Sequence, residues 1–186
     1  MTLPIVAYGD PVLNTKASNI SADYPGLREL IDNMFETMYA ANGVGLAAPQ
    51  IGLPIRLFVI DAAAYDEEQF KDEKRVFINA EILEFKGDEW AFNEGCLSIP
   101  DVRGDVFRPE TIKIRYFDEN FKEHLAEFSD MPSRIIQHEY DHIEGKLFTE
   151  KLAPLRRRMV QKKLEQIKNG IVSVSYRMRF ARAKKK

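Results

Sequence analysis

Two of the chain's three histidines stand four residues apart in His138-Glu139-Tyr140-Asp141-His142, and no other stretch constrains the fold as tightly. In a helix, side chains at i and i+4 share a face, so both imidazoles can address one metal ion. Glu139 then projects beside that ion, where it can serve as general base toward a bound water. The surrounding residues agree with a helix from about Pro132 to Gly145, with Ser129 or Asp130 as N-cap and Gly145 as terminator.

The third ligand has few sources. A third histidine in the HExxHxxGxxH pattern would fall at position 148, which is Phe148. Beyond the motif's own neighbourhood the only downstream glutamate is Glu165, flanked by Lys162, Lys163 and Lys168. Cys96 is the chain's one cysteine, so an internal disulfide is excluded. It is the remaining soft donor, and three protein ligands with an open fourth position make the catalytic arrangement. A lone cysteine is also commonly a small buried hydrophobe, and both readings stay open on the residues alone.

Periodicity supplies the scaffold. Residues 25–42 place Leu27, Ile31, Met34, Phe35 and Met38 on one helical face, ended by Asn42-Gly43. A Gly/Pro-punctuated loop from Gly43 to Pro54 leads into the apolar strand Ile55–Ile60, and the acidic stretch Asp66–Glu73 reads as an exposed loop. Strands follow at Val76–Ile78, Ile82–Phe85, Thr111–Phe117 and Lys122–Phe128, with turn signals at Lys86-Gly87-Asp88 and Asp118-Glu119-Asn120. Between them Glu94–Gly104 reads as irregular. A last helix, Leu155 to about Asn169, carries Met159, Val160, Leu164 and Ile167 on one face, and Ile171–Phe180 alternates like a strand. The expected class is α+β: antiparallel strands around a central helix bearing the two histidines, an early amphipathic helix, and a basic C-terminal helix with a strand-like tail. Residues 1–170 form the expected catalytic domain and 171–186 a basic tail.

The net charge of −2 conceals an asymmetry. Residues 1–154 hold 15 Lys and Arg against 28 Asp and Glu, whereas residues 155–186 hold 12 against Glu165 alone. An acidic body with a basic arm suits contact with a polyanion, and a solvated tail is the plainer alternative. With no 18-residue apolar run and no basic leader followed by an apolar stretch, the sequence reads as a cytoplasmic protein without membrane contact.

Three segments, Gly43-Val44-Gly45-Leu46-Ala47-Ala48-Pro49-Gln50, Glu94-Gly95-Cys96-Leu97-Ser98 and Gln137–His142, resemble the signature motifs of bacterial peptide deformylases, in order. The likeness runs from Tyr8 to Phe148. It implies hydrolysis of the N-formyl group from the initiator methionine of nascent chains, with release of formate. It implies metal ligation by Cys96, His138 and His142, with Glu139 as general acid and base. Gln50 and the Leu97 backbone N–H would form an oxyanion hole, with Gly45 orienting the formyl group. Substrate contacts are implied for Gly43, Val44, Glu94, Arg103, Arg134 and Ile135. The implied metal is Fe2+, with Zn2+, Ni2+ or Co2+ as substitutes. The implied partners are the formylmethionyl nascent peptide and, through the basic C-terminal region, the ribosome; a monomer is expected. Another metallopeptidase, or an inactive ribosome-associated binding protein, are the alternatives.

Overall fold

A computed structural model describes residues 1–181; the basic positions at 182–186 lie outside the described residues. The main elements are β1 (Ile5–Val6), α1 (Leu27–Ala40), β2 (Gly45–Ala47), β3 (Leu57–Asp61), α2 (Glu67–Phe70), β4 (Lys74–Cys96), β5 (Ile99–Phe117), β6 (Glu123–Phe128), α3 (Asp130–Ile143), α4 (Pro154–Lys168) and β7 (Met178–Arg179). Strands β2 to β6 form one antiparallel sheet in sequence order, and β1 pairs with β7 in parallel.

Strand β3 shows how the sheet acquires two helical faces. Successive side chains of a strand point to opposite sides. Leu57 and Val59 meet Ile31, Met34, Phe35 and Met38 of α1, whereas Phe58 and Ile60 meet Ile135, Ile136 and Ile143 of α3. The unbroken apolar run of β3 is thus what a strand covered on both faces requires. Each such side chain, fully buried, contributes roughly 1.5–3 kcal/mol. A third cluster seats α4 through Val160, Leu164 and Ile167 against Val6, Ile99, Val106 and Phe148.

Several expectations are corrected. Lys86-Gly87-Asp88 is a bulge inside a continuous β4, with Gly87 at φ +76°, because a positive-φ residue absorbs one extra position without ending the pairing. A further register shift follows Ile78, where Asn79 adopts φ 52° and exchanges two hydrogen bonds with the Ile20 backbone. These bulges bend the long β4–β5 hairpin. The supposedly irregular Glu94–Gly104 is the hairpin's closed end: Cys96 pairs with Ile99 across Leu97-Ser98. The acidic stretch at 66–73 includes a one-turn helix, α2, capped by Asp66 and pinned by buried Phe70. Met159 is exposed rather than packed, since Val160, Leu164 and Ile167 define a face that leaves it to solvent. Of the strand expected at Ile171–Phe180, only Met178–Arg179 pairs.

Residues 171–181 lie against the body. Val172, Met178 and Phe180 pack on the third cluster, and Tyr176 packs on the second.

Candidate metal centre

Helix α3 carries the two histidines one turn apart, with ring centroids 5.1 Å from each other, and turns them toward the closed end of the hairpin. Ser129 stands at the N-cap, but its hydroxyl pairs with that of Thr111 and makes no cap bond. At the other end Gly145, at φ +72°, stops the helix where a side chain would strike the Asn14 backbone.

The ligand atoms of Cys96, His138 and His142 all lie within 4.8 Å of one another. Cys96 Sγ is 3.3 Å from His142 Nε2. Metal bonds of about 2.3 Å to sulfur and about 2.0 Å to nitrogen put tetrahedral donors roughly 3.5 Å apart, so the set suits one shared ion. His138 Nδ1 faces Glu94 Oε2 at 3.0 Å, which frees Nε2 for the Cys96 side. Burial and the charges of His138 and Arg108 hold the His142 imidazole well below its ordinary pKa, in the neutral form that binds metals. Burial opposes protonation of His138 too, but its hydrogen bonds to Cys96 and Glu94 push its pKa up, so a cation entering here must displace a proton.

Glu139 is 4% exposed, and its Oε2 is one of the buried side-chain atoms among the described residues without a hydrogen-bond partner. Burial raises its carboxyl to about 7, against the opposing pull of His138 and Arg108, which suits proton transfer near neutrality. Gly45 makes room for it. A Cβ at that position would lie 2.8 Å from Glu139 Cδ and collide with the carboxylate. Gln50, 2% exposed, accepts a hydrogen bond from the Ala47 N–H through Oε1 at 2.8 Å, which aims its amide N–H toward Cys96 Sγ, 3.4 Å away.

Glu94 borders the cleft, as expected, and is also tied to a metal-site histidine. Its carboxylate is taken up by Arg108 (2.7 and 3.0 Å), Arg134 (2.7 Å) and His138, so it orients the His138 ring. Burial pushes that carboxyl up, but the bonds from His138 and Arg108 outweigh it and hold it well below the usual range. Arg134, expected in the substrate pocket, is braced by this carboxylate and by the Trp90 carbonyl, its guanidinium 4.0 Å over the Trp90 ring. Arg108 also binds Asp141 at 2.8 Å.

A cleft of about 610 Å³ opens onto these groups. All the residues expected at the site border it except His142, which is 1% exposed. Ser173–Tyr176 form part of its wall, a contribution that reading this stretch as a strand did not suggest. Burial pushes the Tyr176 phenol up to about 12, so it remains a donor at neutral pH.

Comparison with known proteins agrees with this geometry. Residues 2–158 match the family model described as polypeptide deformylase. The chain is 55% identical to the peptide deformylase of Christiangramia forsetii over 100% of this chain and 99% of that protein. It is 54% identical to the one of Flavobacterium johnsoniae over the same shares. Among solved structures, a peptide deformylase from Legionella pneumophila superposes with a TM-score of 0.81 at 39% identity, covering 91% of this chain and 96% of that one. Arabidopsis thaliana peptide deformylase 1B, in complex with an inhibitor, gives 0.82 at 35% identity over 90% and 91%.

Proposed function

The chain belongs to the polypeptide deformylase family, metal-dependent enzymes that remove the formyl group from the N-terminal methionine of new proteins, and from that premise we propose how its residues divide the reaction. The observation that carries the assignment of roles is the convergence of Cys96, His138 and His142 beside a buried, unpartnered carboxylate.

Cys96, His138 and His142 would hold the divalent ion on helix α3 and the hairpin's closed end, where it would supply Lewis-acid activation of water and of the formyl carbonyl. Glu139 takes the proton from the attacking water at its free carboxylate oxygen and later delivers it to the departing methionine amine. Gln50 Nε2–H and the Leu97 N–H donate to the oxyanion as charge develops on the formyl oxygen. Gly43 and Val44 line the peptide's path, Ile135 contributes apolar wall for the methionine side chain, and Arg103 borders the outer cleft. Purified protein given formyl-Met-Ala-Ser tests the assignment: stoichiometric formate supports it, and its absence from the iron-loaded, anaerobic protein overturns it.

Affinity order favours Zn2+ over Fe2+, but one thiolate with two imidazoles accepts either, and Fe2+ is the metal proposed here, the others being substitutes. Among the described residues no helix is long and apolar enough to cross a membrane. A cytoplasmic monomer is the state proposed. The ribosome is the partner proposed for the basic end. Arg157, Arg158 and Lys162 on α4 are exposed and suited to phosphate contacts. Changing all three to Glu is expected to weaken co-sedimentation with ribosomes at least about tenfold at moderate salt, with turnover of a formylated tripeptide unchanged. Wild-type co-sedimentation of that variant would contradict the proposal.

A further inference from the structure

The Leu97-Ser98 turn that joins β4 to β5 is held from behind by both ends of the chain. The Ser98 carbonyl accepts a hydrogen bond from the Tyr8 N–H at 2.9 Å. The Leu97 carbonyl accepts one from the Tyr176 hydroxyl at 2.7 Å. These two holding segments are themselves joined: β1 lies against β7, with the Ile5 and Ala7 N–H groups donating to the Arg177 and Arg179 carbonyls, both at 2.8 Å. Past Tyr176 the same strap lays Arg179 over Gly52, where a Cβ would come within 2.8 Å of the guanidinium carbon. Gly52 follows directly on the turn Ala48–Ile51 that carries Gln50. One short strap therefore touches both segments that bear the oxyanion donors named above.

The turn's geometry says what the Tyr176 contact controls. Across the Cys96–Ile99 pairing, Leu97 and Ser98 are the two central residues, and the ladder does not use the N–H of the first of them. The peptide between them carries the Leu97 carbonyl. Rotation of that peptide is what separates one turn type from another, by a large change in ψ at the first central residue. We propose that Tyr176 is a positioning residue for catalysis: by donating to the Leu97 carbonyl it holds the peptide on one side of the Leu97 Cα, and through that atom keeps the preceding peptide, which carries the Leu97 N–H and adjoins Cys96, aligned on the cleft. The inference rests on the reading of Leu97 as an oxyanion donor. Tyr176 is part-buried and packs on the cluster formed by α1 and the sheet, so its ring and its hydroxyl do separable work.

Tyr176→Phe keeps the ring and removes the hydroxyl. The test compares the full-length, metal-loaded variant with wild type in turnover of formyl-Met-Ala-Ser and in amide hydrogen exchange without substrate. The expected result is a kcat about 3- to 10-fold lower, the scale of one neutral hydrogen bond, with KM within about twofold. Exchange should rise in residues 95–100 and stay at the wild-type level in α3. Wild-type kcat and exchange in the variant would overturn the positioning role while leaving the site assignment intact. A raised KM with unchanged kcat would make the phenol a substrate contact, and faster exchange in α3 as well would make it a folding residue; either outcome overturns the proposal. A wild-type protein that releases no formate removes the oxyanion role of Leu97, and this inference with it.

Discussion

Glutamine in place of Glu139 is expected to lower kcat/KM about 10²- to 10⁴-fold, the range attributed to a positioned general acid or base, with metal content and thermal midpoint close to wild type. The side chain is buried with one oxygen unpartnered, and burial already favours its neutral form. A neutral isostere therefore breaks no ion pair and leaves the packing against Gly45 intact. What it removes is the capacity to accept a proton. Steady-state formate release alongside metal analysis checks this; a variant retaining more than about a tenth of wild-type activity would deny Glu139 the proton-transfer role.

Alanine in place of Glu94 is expected to act on stability and on the metal together. Arg108 and Arg134 are each 3% or less exposed and converge on this one carboxylate. Removing it strands buried cations, a change that typically costs about 3–5 kcal/mol. It also frees His138 from the partner that orients its ring, and loss of such a group weakens metal affinity about 10- to 100-fold. The sign with pH follows from the depressed carboxyl. Its stabilising contribution is fully present above the unfolded value of 4.5 and is lost as pH falls below it, so wild type and variant should converge in acid. Denaturant midpoints of the metal-free proteins between pH 7 and pH 3, with metal competition at pH 7, measure both effects. Equal midpoints at pH 7 would show that the network carries no net stability.

Local signals were legible where period and burial coincide. The apolar face of α1 and the helical run around His138 state their own structure, because each buries one stripe. The β3 run reads as a strand because both its faces are covered. The closed end of the hairpin did not read, since Gly95, Ser98, Pro100 and Gly104 signal turns locally while a partner strand supplies the pairing. Gly87 misled for the same reason: a positive-φ glycine serves a bulge as well as a turn. The histidine pair was legible from its spacing, whereas Cys96 joined it only through the resemblance; the fold brings the three donors within 4.8 Å of one another. The second task of Glu94 was not legible, because spacing does not show that two arginines and a histidine, distant in sequence, arrive at one carboxylate. Tyr176 had no local signal at all; its place at the cleft depends on β7 finding β1 across the length of the chain.

The central claim is that Cys96, His138 and His142 share one catalytic ion, and metal analysis of anaerobically purified wild type and Cys96→Ser, paired with formate release, tests it most directly. The account predicts about one divalent ion per wild-type chain, in keeping with a single three-ligand site, and a variant that has lost both the ion and turnover. A Cys96→Ser protein that keeps its metal and its turnover would contradict it.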